Sequence, residues 1–169
     1  GSRGQYLLDL TVDDTVAPQV VRVNDLPADG VTATLLPGEF SVVFDEDLLP
    51  STVTLADAFD LRHTGDDGLF GTGDDTVYNL TVTPSYSLGS SVRMSIRDQE
   101  LISGDYQFTV GGVVADVAGN TLDGNGDTIA GDPYTQSFTV ALPESLKATF
   151  ESESNSGTGN ATPLALATN

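Results

Sequence analysis

Apolar and polar residues alternate with a period of two along most of the chain. Phe40, Val42 and Phe44 alternate with Ser41 and Val43, and Tyr78, Leu80 and Val82 with Asn79 and Thr81. Val92, Met94 and Ile96 alternate with Arg93 and Ser95, Tyr106, Phe108 and Val110 with Gln107 and Thr109, and Phe138 and Val140 flank Thr139. Successive side chains of a strand point to opposite faces, so this pattern predicts half-buried antiparallel sheet. Val21 and Val23 predict an earlier strand, while Leu55, Phe59 and Leu61 are less regular and leave room for a helical turn. Together these runs predict about seven strands between residues 18 and 141, folded as a β-sandwich with almost no helix. Pro18, Pro27, Pro37 and Pro50 fall between the runs, as residues unable to donate to a ladder should. Two connections, 63–75 and 112–134, are long and rich in Gly and Asp, the kind of loop that is functional or ordered by an ion.

Composition sharpens that picture. Counting glycine and leaving out tyrosine, about 46% of the chain is apolar, the ordinary globular range. Six basic against 25 acidic residues give a formal charge of −19. Such a surface disfavours nucleic acid and anionic membranes, which need clustered Lys and Arg, and favours a monomer through self-repulsion. No run of 18 apolar residues is present, which excludes an apolar spanning helix. Of the acids 19 are Asp and only 6 Glu. Asp favours turns and hard cations over helices, so the acid belongs in the loops. The absence of cysteine excludes disulfides and thiolate zinc sites, and leaves bound calcium as an available staple.

Two loop clusters carry candidate metal chemistry. Asp123, Asn125 and Asp127 are spaced by single glycines, so their oxygens can converge on one Ca²⁺. The run departs from an EF-hand because Thr128 replaces glycine and Tyr134 stands at the twelfth position, so Asp132 or Asp116 would have to complete the shell. The alternative is a solvated turn that caps itself. Asp66, Asp67, Asp74 and Asp75 form the second cluster, with Asp60 close in sequence. They either screen one another through a cation or form a wet hairpin tip.

Catalysis finds little footing. His63 is the sole histidine, so a two-histidine metal site is impossible, and its setting beside Arg62 and the acidic loop predicts a solvated imidazole. No nucleophile elbow or phosphate loop is present. Asn79-Leu-Thr81 and Asn160-Ala-Thr162 fit the glycosylation triplet. Gly104 and Tyr106, with Leu101 upstream, have the arrangement of a tyrosine corner, a core role in which the hydroxyl ties a strand to its preceding loop. Without Trp, an aromatic sugar platform would have to rest on Tyr86 and Tyr134, which fall outside the inward alternation.

The segments "DDTVAPQVVRV", "FSVVFDEDLLPSTV", "GDYQFTVGGVVADVAGNTL" and "SFTV" together resemble the bacterial Ig-like domains of large repetitive surface proteins. The loops "DDGLFGTGDD" and "LDGNGDTIAGDPY" resemble those found in giant secreted bacterial proteins. The flanks "GQYLLDLTV" and "FESESNSGTGNATPLAL" are similar to the closing strand and the opening of the bacterial pre-peptidase C-terminal domain. The resemblance implies three parts. Residues 1–12 would be a strand from a preceding module or an N-terminal extension, 13–143 the Ig-like domain, and 144–169 a linker and the start of a following module.

The same resemblance implies an interdomain calcium near Asp13 or Asp14 and Asp116, with Asn120 as the turn residue; the alternative is that Asp116 and Asn120 only cap a local turn. It makes an internal Lys–Asn crosslink improbable, because Lys147 is the sole lysine and follows the last strand. The expected protein is an all-β, Ig-like antiparallel β-sandwich with two long acidic loops. It would serve as a non-catalytic, calcium-stabilised spacer or adhesion module of a large extracellular or cell-surface protein. Its partners would be neighbouring domains of the same chain, with surface glycans or proteins as further ones. The competing reading is a carbohydrate-binding or accessory module of a secreted hydrolase.

Overall fold

In a computed structural model, residues 13–82, 85–97 and 102–143 are described. The parts assigned above to 1–12 and 144–169 lie outside the described residues, as do Leu101, Lys147 and the Asn160 triplet. The elements in chain order are β1 (Val20–Asn24), β2 (Thr32–Ala33), β3 (Glu39–Phe44), α1 (Pro50–Val53), β4 (Phe59–His63), β5 (Thr76–Val77), β6 (Asn79–Val82), β7 (Ser91–Arg97), β8 (Gly104–Val110) and β9 (Tyr134–Val140). One sheet has the order β1-β3-β7-β6 and the other β2-β9-β8-β4-β5. The fold is an all-β, two-sheet, Ig-like sandwich.

The alternation explains the core. On β3, β8 and β9 every second residue is buried. Phe40, Val42 and Phe44 face Leu61, Phe108, Val110 and Phe138 across the sandwich. Phe40 meets Phe108 edge to face at 5.2 Å between centroids, bridging the two sheets. Tyr106 accepts the Ile102 N–H at 3.1 Å and donates to the Ile102 carbonyl at 2.8 Å, the tie expected of a tyrosine corner. Its ring stacks on Phe138 at 5.5 Å.

The structure departs from the periodicity in five places, each for a local reason. Nine strands form where about seven were predicted, because β2 and β5 are two residues long and too short to show a period. The sheets are not wholly antiparallel: β2 joins β9 in parallel. A register shift between Val20 and Arg22 reverses the phase of β1, so Val20 and Val23 pack on the core while Val21 points outward. A bulge of this kind inserts one residue and flips everything beyond it. Tyr78 does not belong to a continuous strand; its N–H donates to the Leu61 carbonyl at 2.8 Å, and the chain then crosses from β5 in one sheet to β6 in the other. The irregular 50–61 segment resolves into the single-turn α1, started by Pro50, and then β4.

His63 departs from a further expectation. It is buried on β4 instead of solvated, in edge contact with the Tyr106 ring at 5.1 Å, with Nε2 3.2 Å from the Ser103 carbonyl. Its strand position turns it inward, away from the acids that follow it in sequence. A Cβ at Gly104 would come within 2.1 Å of its ring, so glycine is required there.

Candidate functional site

The loop 111–133 between β8 and β9 folds back on Pro18 and Gln19 just before β1. Asp123 is its anchor. The Asp123 Oδ1 accepts the N–H groups of Gly126 at 2.8 Å and Asp127 at 3.1 Å, while Oδ2 accepts Thr128 N–H at 3.0 Å and the Gln19 amide at 2.8 Å. Asp127 in turn accepts the Ile129 N–H, and Asn125 accepts the Asp127 N–H. Thr128, which stands where an EF-hand has glycine, takes a φ of 73° and is held there by its bond to Asp123. Burial alone would raise the Asp123 carboxyl; the donors from Thr128, Gln19, Gly126 and Asp127 outweigh it and hold it below the usual carboxylate value. Asp132 lies beside Asp123 through a bridge and within 3.5 Å of the Asn125 amide. The loop is organised by N–H groups pointing at carboxylates.

The 64–75 loop works in a similar way. Asp74 accepts from Thr72 at 2.7 Å and from the Asp67 N–H at 3.2 Å, and these bonds lower its carboxyl. Asp67 accepts the Leu69 N–H at 2.8 Å. Asp75 is desolvated, which opposes ionisation, but the Gly71 N–H and the Arg62 guanidinium hold its carboxyl below the usual value. Arg62 also pairs with Asp60 at 2.6 Å. Asp66 is exposed, and its N–H is a further donor that lowers Asp74. One guanidinium and several amides thus do the screening.

The third region differs in kind. Asp14 precedes β1, Glu46 follows β3 and Asp116 lies in the 111–133 loop, yet one carboxylate oxygen from each falls within 4.8 Å of the others. Local pairing builds the meeting point: Leu48 bridges to Asp116, and Leu49 N–H donates to the Ala115 carbonyl at 2.8 Å. The Asn120 amide donates to the Asp14 carbonyl at 3.1 Å and to Asp116 Oδ2 at 2.7 Å. Asp116 is fully buried; burial opposes its charge, but Asn120 and the N–H groups of Asn120 and Gly119 keep its carboxyl low. Glu46 has no such donors. Burial first, then the charges of Asp116, Asp14 and Asp45, raise it to about 7.

Among the described residues this is the one three-carboxylate group close enough to share an ion. Oxygens around one Ca²⁺ at 2.3–2.6 Å lie at most about 5 Å apart, so the spacing fits, and an all-oxygen donor set suits a hard cation. The cluster brings together Asp14 and Asp116 of the residues singled out in the sequence and leaves Asp13 outside. Glu46 was missed; the signal for it was the acid run Asp45-Glu46-Asp47 placed directly after an alternating strand. The tyrosines singled out for sugar contact are engaged otherwise. The Tyr86 hydroxyl accepts Leu48 N–H at 3.1 Å and donates to the Gly89 carbonyl, while Tyr134 donates to Gln136 at 2.8 Å, and both rings pack on the core.

Several solved structures share a similar chain path. Surface layer protein SbsC, domains 1–6, matches with a TM-score of 0.43 and 18% identity over 76% of this chain and 14% of its own. The N-terminal part of SbsC matches with a TM-score of 0.41 and 19% identity, over 74% and 24%. PcoC, a methionine-rich copper resistance protein from Escherichia coli, matches with a TM-score of 0.43 and 18% identity, over 73% and 98%. The chain thus spans a small fraction of the SbsC chains it matches. No curated protein matches it. The bacterial Ig-like domain family is matched over residues 14–140, β1 through β9 with Asp14 included, and the chain belongs to that family.

Proposed function

We propose that this domain is a non-catalytic structural spacer of a larger surface or secreted bacterial protein, stiffened at its N-terminal joint by a calcium ion. The observation that carries the reading is the Asp14–Glu46–Asp116 cluster, which ties the segment before β1 to the end of β3 and to the 111–133 loop. Three carboxylates held together without a cation raise the free energy of the fold, and a divalent ion binding only the folded form removes that cost. No helix among the described residues is long and apolar enough to cross a membrane. In the two other acidic loops Asp123, Asp74 and Asp75 already take internal donors, which favours the joint as the place of the cation.

The test is a thermal melt in EDTA, in Ca²⁺, and in Mg²⁺ or NaCl as screening controls. At a hundredfold excess over the dissociation constant, one site raises the midpoint by about 10 °C for a domain of this size. Glu46→Gln should lose most of that rise. Identical melts in EDTA and millimolar Ca²⁺ would reduce the joint to a structural turn.

A further inference from the structure

The two ends of the domain meet along one line. The segment 27–33, which contains β2, runs parallel to β9 in the register Thr32 to Thr139 and Ala33 to Val140. Gly30 N–H donates to the Ser137 carbonyl at 2.8 Å, Thr139 N–H to the Val31 carbonyl at 3.0 Å, and Ala141 N–H to the Ala33 carbonyl at 2.8 Å. Two side-chain bonds extend the row: Ser137 N–H to Asp29 Oδ1 at 2.8 Å, and the Gln136 amide to the Pro27 carbonyl at 2.6 Å. A two-residue strand is far too short to hold a sheet edge by itself, yet it is fastened from Pro27 to Ala33.

The direction of the strands gives this patch its meaning. Tension entering from the N-terminal side reaches β2 at its N-terminal end, after β1. Tension entering from the C-terminal side reaches β9 at its C-terminal end. In a parallel pair those two ends lie at opposite extremities, so the force slides the strands past each other along their axes. Every hydrogen bond is then loaded at once, across its own direction. An antiparallel pair pulled from adjacent ends would instead open one bond at a time. β9 is also backed on its other side by all seven residues of β8. β1 is the weaker attachment on the load path, since its pairing with β3 is interrupted by the bulge at Val21.

We propose that the β2–β9 patch is a shear clamp that lets this domain carry tension between its two ends without unfolding. The role rests on the spacer reading above, but the clamp itself needs no cation.

Single-molecule unfolding of the full chain at constant force tests it. The chain has no cysteine, so engineered pairs are unique handles. One geometry pulls through the two termini. The other pulls through Leu35→Cys and Pro143→Cys, which lie just past the C-terminal ends of β2 and β9 and therefore peel the same bonds in sequence. Three backbone bonds broken together and not singly make end-to-end unfolding about a hundredfold slower than peeling at equal force. Ala141→Pro deletes one donor at an exposed position, and Asp29→Ala deletes one acceptor. Each should speed end-to-end unfolding by about fivefold, and Asp29→Ala should leave the onset of peeling unchanged because its bond lies beyond the backbone bonds that peel first. Thermal melts are run to check that both variants fold, and Pro at 141 is compatible with the extended Val140 before it.

Equal rates in the two geometries, or end-to-end rates untouched by both substitutions, would overturn the clamp. The pulls are made in EDTA and in Ca²⁺. A clamp that persists in EDTA beside calcium-insensitive melts would sink the calcium reading alone; equal rates beside calcium-shifted melts would sink the clamp alone.

Discussion

The 123–132 loop and the Asp14–Glu46–Asp116 joint are built from the same kinds of residue and reach opposite electrostatic states. In the loop, glycines and tight turns aim backbone N–H groups at Asp123, so its carboxyl is held below the ordinary value although it is buried. At the joint, Asp116 takes the local N–H groups and the Asn120 amide, and nothing is left for Glu46, which is raised to about 7. Acid density is alike in both places. What differs is the supply of donors, and a short chain segment can supply donors only to carboxylates within a few residues of it. A cation adds most where the backbone supplies least.

The comparison breaks most visibly at Asp123. Asp123→Ala removes the acceptor of three backbone N–H groups and of Gln19, and frees Thr128 from what holds it at positive φ. The melting midpoint should fall by at least about 5 °C, equally in EDTA and in Ca²⁺. A fall seen only in EDTA would make Asp123 a calcium ligand and erase the distinction between the two regions.

Glu46 sharpens the other side through pH. Its folded value lies above the 4.5 of the free side chain, so the folded form holds more protons and loses stability as pH rises from about 4.5 to about 7. Asp116, Asp123, Asp74 and Asp75 are shifted downward, so the stability they add is present above pH 3.8 and is lost only below it. The two windows do not overlap. In EDTA, Glu46→Gln should flatten the decline between pH 4.5 and 7 and stabilise the protein at pH 8 by about 1 kcal/mol, a figure that allows for solvent screening of a part-exposed group. The measurement is urea unfolding at both pH values. A decline of unchanged slope in the variant would place its cause in the overall charge.

The smallest effect belongs to a pair that neither region needs. Arg93 and Glu39 meet at 2.9 Å across β7 and β3, with both side chains more than half exposed. Arg93→Ala should change unfolding free energy by no more than about 0.5 kcal/mol, and 0.5 M NaCl should erase the difference. A larger loss would mean that exposed ion pairs on this acidic surface stabilise it more than their geometry suggests.

Alternation alone determined which residues build the core. Phe40, Val42, Phe44, Phe108, Val110 and Val140 are inside because period two and the need to bury apolar surface leave one consistent arrangement of β3, β8 and β9. The tyrosine corner was legible for a related reason: its bond joins residues only four apart, Ile102 and Tyr106. Long-range relations were not legible. The phase of β1 turned on one bulged residue, and the burial of His63 on which face of β4 it occupied. The approach of Asp14 to Asp116 came from the family resemblance and not from the pattern, Glu46 came from neither, and the clamp required residues 27–33 to find 136–141. Local pattern records what each segment prefers facing core or water, and it carries no term for which distant segment supplies the neighbouring carboxylate or the neighbouring strand. Those partners are chosen when the two sheets close on each other, and only tertiary structure decided them.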